Sequence, residues 1–461
     1  MAKRITIIGG GPGGYVCAVR GAQLGAQVTI VERDALGGTC LNWGCVPTKA
    51  LLHGARLYRA IRDAGRFGIE CTPAPVRFDK MMERKDVVVQ NNVSGLESLL
   101  KRHGVTVIRG TGRLLDPHTV EIDNGEGNIS REGAEAVVIA TGSAPLVPSF
   151  MKLDKDRIVT TTGALDLQRL PVSVAVVGGS VSGCEFACMF GLLGSEVTLI
   201  EMLDKILPTE DAEISRRFAG ALRSLGVRVM TKTAVRSVEW DDGTDSVTLV
   251  TEKGERMTAS CCLAAMGRKL NIDNIGLDAL GIEYSPKGIG VNERMETTIR
   301  DVYAVGDVTG KILLAHVASA QGIVAAENIM GIDATMDYSA VPSFIYTEPE
   351  IGSVGLKEEE AKAMGMDIMM GKAIFKTNAM AHAMSETTGF VKTVVDRKTK
   401  EILGVHILGP HATDLLAHAV TLVKGRMTSK MVKAMIHPHP TLSETTKEAV
   451  LAAMNQAIHA G

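Results

Sequence analysis

The sequence predicts an α/β fold built on two doubly wound parallel-sheet domains, and three observations predict it. First, "RITII" (4–8) reads as a buried parallel strand that runs into Gly9-Gly10-Gly11-Pro12-Gly13-Gly14, a helical pattern, and "QVTIV" ending at Glu32. Second, "VSVAVV" (172–177) repeats the plan through Gly178-Gly179-Ser180-Val181-Ser182-Gly183, a helix, and "SEVTLI" ending at Glu201. Third, the copies keep one register: 178 − 9 and 201 − 32 both equal 169, and "LGAQVTIVE" (24–32) aligns with "LGSEVTLIE" (193–201).

Each element has a physical reason. The short apolar runs suit strands buried on both faces of a parallel sheet. Gly9, Gly11 and Gly14, and at the second site Gly178 and Gly183, permit a tight turn and close approach of backbone N–H groups to a pyrophosphate at a helix N-terminus. Ser180 stands where the second loop would carry its central glycine, so a small side chain faces the pyrophosphate there. An acid closing the second strand, Glu32 or Glu201, suits a ribose diol. One such loop is a weak signal; two whole units in register predict two bound dinucleotides.

Length and composition set the frame. At 461 residues the chain exceeds one core, so two to four domains are expected. A net charge of −2 gives no electrostatic case for nucleic acid or an anionic membrane. No apolar run reaches the roughly 18 residues of a spanning helix. Lys3-Arg4 leads straight into the first strand, which leaves no room for a signal or transit peptide. Eight cysteines without a framework suit a reducing compartment, so a cytoplasmic protein is expected.

Two of those cysteines stand apart. "GGTCLNWGCVPTK" (37–49) sets Cys40 and Cys45 among glycines and polar residues. Zinc is a poor explanation, because no second pair has ligand spacing and Cys261-Cys262 are adjacent; no metal site is expected. Core cysteines would not need such surroundings. A redox pair is favoured, although residues five apart in a regular helix diverge, so a distorted turn at Gly44 and Pro47 is required. A helix N-terminus and Lys49 would favour the thiolate. Cys184, Cys188 and the other cysteines read as packing.

With these motifs in hand, the chain resembles the flavoprotein disulfide reductases along nearly its whole length. The carriers are "GGTCLNWGCVPTK", "VVIATGSAP" (137–145), "TTIRDVYAVGDV" (297–308), "LLAHVASAQG" (313–322), "FIYTEPEIGSVG" (344–355), "LGVHILGP" (403–410) and "HPHPTLSE" (437–444). The resemblance implies an FAD-binding domain in two parts (1–145 and 272–338), an NAD-binding domain (146–271) and a C-terminal α+β dimerisation domain (339–461). It implies that Cys40 exchanges with substrate, that Cys45 is the thiolate lying against the flavin, and that Lys49 and Glu185 sit on the flavin's nicotinamide side. Asp307 would bind the ribityl chain, with further cofactor contacts at Thr141, Gly142, Gly267 and Ala315. His439, oriented by Glu444, would be the acid–base group, and His439–Pro440 is the expected cis peptide. His437 is assigned a structural role.

The members most similar oxidise dihydrolipoyl groups with NAD⁺. Glu201 would repel the 2′-phosphate of NADP, "HPTLSE" has their form of the histidine motif, and "NQAIHAG" lacks the C-terminal cysteine pairs of other branches. Implied partners are a second copy of the chain and a lipoyl domain or lipoyl carrier protein of a 2-oxo acid dehydrogenase or glycine cleavage system. Ser180, Leu270 (usually proline) and Met380 (commonly arginine) depart from the pattern. The alternatives are an NADH-dependent reductase of another disulfide and a flavin-bearing scaffold without turnover.

Overall fold

A parallel strand buried on both faces is mostly apolar, and the first strand follows: Ile5, Ile7 and Ile8 are each at most 3% exposed. A computed structural model of the chain describes residues 2–72, 74–154, 156–241, 243 and 245–460. It divides into two units. The first holds Met1–Ala50, Asp79–Leu146 and Gly267–Asp337; the second holds Leu51–Phe78, Val147–Met266 and Tyr338–Gly461.

The first unit carries a five-stranded parallel sheet in the order Val302–Ala304, Ala136–Ile139, Arg4–Ile8, Gln27–Glu32, Thr106–Arg109. Strand order reverses around Arg4–Ile8, which puts the crevice for a ligand at the carboxyl end of that strand. Its helix Pro12–Gln23 packs against Ala315–Ile329 so closely that a Cβ on Gly322 would meet the Gly13 carbonyl oxygen at 2.4 Å.

The second unit repeats the sheet as Arg228–Met230, Glu196–Ile200, Ser173–Val177, Cys261–Ala264, Ile158–Thr160, again all parallel. It also contains an antiparallel sheet ordered Ser343–Ile345, Glu350–Gly355, Ile402–Gly409, Phe390–Asp396, Ile368–Ile374. Helices Ala412–Lys424 and Glu444–Ala452 cover that sheet; Gly371 is where the second lies closest, a Cβ there meeting Ala449 O at 1.9 Å. The α/β class with two doubly wound domains and a C-terminal α+β domain is thus realised. Among the described residues no helix is long and apolar enough to cross a membrane.

Candidate active site

The two glycine loops are superimposable in detail. Gly9 and Gly178 both have φ +109°, and a Cβ on either would lie 2.3 Å from a carbonyl oxygen, Ala140 O or Ala265 O. A Cβ on Gly14 or Gly183 would lie 1.9 Å from Gly9 O or Gly178 O. The central glycine position is less crowded: a Cβ on Gly11, at the start of the 12-residue helix, would meet only Gly38 Cα, at 4.0 Å. These loops fit a pyrophosphate at a helix N-terminus. Ser180 takes the backbone conformation of Gly11 (φ −77° and −71°) and turns its hydroxyl back to donate to Ala265 O at 3.3 Å.

Glu32 and Glu201 do more than the sequence disclosed. Glu32 accepts from Gly10 N–H (2.6 Å) and Asp34 N–H (2.7 Å); Glu201 accepts from Gly179 N–H (2.7 Å) and Leu203 N–H (2.8 Å). Each carboxylate braces its own loop, and with about four lone-pair sites it retains capacity for a ribose diol.

The thiol turn is built against the first loop. Gly37 N–H donates to Gly10 O at 2.8 Å, and a Cβ on Gly38 would meet Gly11 Cα at 2.8 Å. Cys40 lies in the short helix Gly38–Asn42, which ends at Trp43; Cys45 is the first residue of the 18-residue helix Cys45–Arg62. The break at Trp43-Gly44 is the required distortion, and Gly44 is needed because a Cβ there would press on Thr39 O at 3.0 Å. The sulfurs come close enough to share a hydrogen bond. That bond, then burial, then the Cys45 charge push the Cys40 thiol far above its ordinary value, while Lys49, one turn beyond Cys45, pulls it down. Cys45 stands at the helix N-terminus, the end that favours negative charge. Cys45 is also the more exposed of the two.

The remaining residues assigned to the flavin lie in the same unit. Thr141 Oγ1 donates to Asn271 O (2.7 Å) and Asn271 Nδ2 to Thr141 O (2.8 Å), next to Gly142 at φ +70°. Gly267 O accepts from Leu146 N–H at 3.0 Å, and Ala315 opens the helix Ala315–Ile329. Asp307 accepts from Ser143 Oγ at 2.5 Å and lies 3.6 Å from Arg268 Nε. Arg268 also donates to Ser143 Oγ (2.6 Å), Ser143 O (2.7 Å) and Thr39 Oγ1 (3.4 Å). Sequence reasoning missed Ser143 and Arg268; Ser143 lay inside a quoted motif, but nothing linear linked it to a position 125 residues away.

In the second unit, Glu185 is 3% exposed and accepts from Tyr346 N–H at 3.0 Å. His439 Nδ1 lies 3.0 and 3.2 Å from the Glu444 oxygens. A carboxylate only accepts, so Nδ1 carries the proton and Nε2 keeps the lone pair a base needs. Burial would raise the Glu444 carboxyl, but hydrogen bonds from Thr441 N–H and His439, with the imidazole charges, hold it below the usual carboxylate range. His439–Pro440 is cis, as is Glu348–Pro349. His437 packs its ring 5.5 Å from that of His418. Cys184 and Cys188 are fully buried, and Leu270 is a core residue.

Comparison with known proteins identifies the family. Residues 3–322 match the family described as pyridine nucleotide-disulphide oxidoreductase, and residues 341–450 match that family's dimerisation domain, which supports a homodimer. A dihydrolipoyl dehydrogenase of Bacillus subtilis is 42% identical over 99% of this chain and 98% of its own length. A mitochondrial dihydrolipoyl dehydrogenase of Pisum sativum is 38% identical over 99% of this chain and 92% of its own. The crystal structure of LpdA from Mycobacterium tuberculosis superposes with a TM-score of 0.92 at 28% identity, covering 97% of this chain and 99% of that one. Two braced dinucleotide loops, a thiol pair on one of them and full-length likeness lead to one conclusion: the chain belongs to the pyridine nucleotide–disulphide oxidoreductase family.

Proposed function

We propose that the chain is a dihydrolipoyl dehydrogenase, oxidising dihydrolipoyl groups to the disulfide with FAD as resident cofactor and NAD⁺ as acceptor. The observation that carries it is the Cys40–Cys45 turn seated on the first glycine loop. FAD fits Gly9, Gly11, Gly14 and Glu32, with Lys49, Thr141, Gly142, Gly267, Asp307 and Ala315 as its further contacts. NAD⁺ fits Gly178, Ser180, Gly183 and Glu201, with Glu185 toward its nicotinamide.

Only a thiolate attacks a disulfide, and a dithiol is largely protonated at neutral pH. His439 Nε2 takes a substrate thiol proton while Glu444 holds the ring and balances its charge. The substrate thiolate attacks Cys40, the Cys40–Cys45 bond breaks, and Cys45 leaves as the thiolate its helix terminus favours. The second substrate thiol then closes the substrate disulfide and releases Cys40. When bound, the flavin relays the two electrons from the cysteine pair to NAD⁺. The balance is dithiol plus NAD⁺ to disulfide, NADH and one proton.

Two copies associate through the 341–450 domain, and His439 of one copy serves Cys40 of the other. The substrate arm belongs to a lipoyl domain or lipoyl carrier protein of a 2-oxo acid dehydrogenase or glycine cleavage system. A cytoplasmic location agrees with the eight cysteines lacking a structural framework. A scaffold without turnover would need neither the thiol pair nor the His439–Glu444 pair.

The test is NAD⁺ reduction by dihydrolipoamide, measured beside reduction of oxidised glutathione by NADH and NADPH. The expected outcome is turnover with dihydrolipoamide and a preference for NAD⁺ over NADP⁺ of about a hundredfold or more, since Glu201 repels a phosphate dianion. Faster glutathione reduction with NADPH would contradict it.

A further inference from the structure

The second glycine loop is braced from the dimerisation domain by a buried polar cluster. Lys392, in the strand Phe390–Asp396, is 6% exposed and donates to Asp211 Oδ2 at 2.8 Å, with Glu358 Oε2 at 2.7 Å. Asp211 is fully buried and caps the helix Ala212–Ser224, its Oδ1 accepting from Glu213 N–H (2.9 Å) and Ile214 N–H (3.3 Å). Glu210, 3% exposed, accepts from Ser343 Oγ (2.9 Å) and Ser353 Oγ (2.6 Å) of the same antiparallel sheet. His406 pairs in register with both Lys392 and Ser353, and donates from Nε2 to Leu356 O at 3.0 Å.

From these two acids the path to the nucleotide loop is short. Glu210 N–H donates to Leu207 O at 3.0 Å, and Leu207 N–H donates to Gly179 O at 2.7 Å. Ile206 packs so tightly on the loop that a Cβ on Gly179 would meet its Cγ2 at 2.8 Å. Leu207 holds φ +48°, a conformation leucine rarely adopts; the matching bond of the first unit, Gly37 N–H to Gly10 O, uses a glycine at φ +89°. The first unit fixes its loop with a residue that tolerates the conformation. The second holds a leucine there with Glu210 and Asp211 anchored behind it.

We infer that Lys392, Glu210 and Asp211 are positioning residues for the pyridine nucleotide: the dimerisation domain sets nucleotide affinity by fixing the 203–211 segment against Gly179. This rests on the assignment of NAD⁺ to the second loop. Lys392→Met leaves the fully buried Asp211 without its cation, which lets the segment shift, while the half-buried Glu358 keeps Lys362. In the flavin-loaded protein, NADH dissociation constants from calorimetry and KM for NAD⁺ should rise about tenfold. Single-turnover reduction of the protein by dithiol, with no nucleotide present, should stay within about twofold of the unmodified rate. Lys392→Arg should restore nucleotide affinity. Glu210→Gln, which keeps shape and removes charge, provides the second variant should Lys392→Met not fold. Unchanged nucleotide affinity in a folded variant, or equal loss in both half-reactions, would overturn the inference. Absence of NAD⁺ binding by the unmodified protein would instead count against the assignment of the loop itself.

Discussion

His439 and Glu444 lie on one short turn, where Nδ1 bonds the carboxylate and Thr441 N–H donates to the same carboxylate at 2.8 Å. Removing the base with His439→Gln should lower dithiol turnover by about 10²- to 10⁴-fold, the usual worth of a positioned base, while NADH binding persists. Glu444 has a depressed carboxyl, so its bond to His439 stabilises the fold above the ordinary carboxylate pKa and is lost as pH falls through the lower folded value. Urea unfolding across pH should therefore separate the unmodified protein from Glu444→Gln most near neutrality, the gap closing in strong acid. A constant gap would contradict the assigned pairing. The thiol pair makes a simpler prediction. Under denaturing conditions the reduced chain should titrate eight thiols and the oxidised chain 8 − 2 = 6, whereas oxidised Cys45→Ser should keep all its remaining seven.

Elements were legible where periodicity and glycine placement coincide. The strands, both glycine loops and their acids stood in the linear sequence because a parallel strand and a tight turn each demand particular residue types over a few positions. The break between Cys40 and Cys45 was expected at Gly44 and Pro47; it falls at Trp43-Gly44, and Pro47 lies in the first turn of Cys45–Arg62. The bracing of Gly10 and Gly179 by Glu32 and Glu201 was not legible, since a carboxylate's second use leaves no spacing signature. Nor were Arg268 with Ser143, or Lys392 with Asp211, whose partners are brought together only by tertiary packing. The loops yield a prediction of their own. Gly14→Ala and Gly183→Ala each drive a methyl into a carbonyl oxygen. The first should prevent flavin retention, read as loss of visible absorbance. The second should leave that absorbance and weaken NADH binding by at least about tenfold, equivalent to a cost of about 1.4 kcal/mol. Loss of flavin from both would contradict separate sites.

At the scale of the whole molecule, the proposed site is shared between two copies. His439 belongs to the C-terminal domain, about four hundred residues along the chain from the thiols, and a twofold interface would make both sites composite. The decisive measurement mixes two inactive variants, Cys45→Ser and His439→Gln, dissociated and reassembled together. A mixed dimer has one site with intact thiols from one chain and intact histidine from the other, and a second site with both lesions. Random assembly makes about half the dimers mixed, so dihydrolipoamide oxidation should recover to about a quarter of the unmodified activity. If His439 serves its own chain, every site keeps one lesion, and no recovery from dimers shown to be mixed would contradict the account.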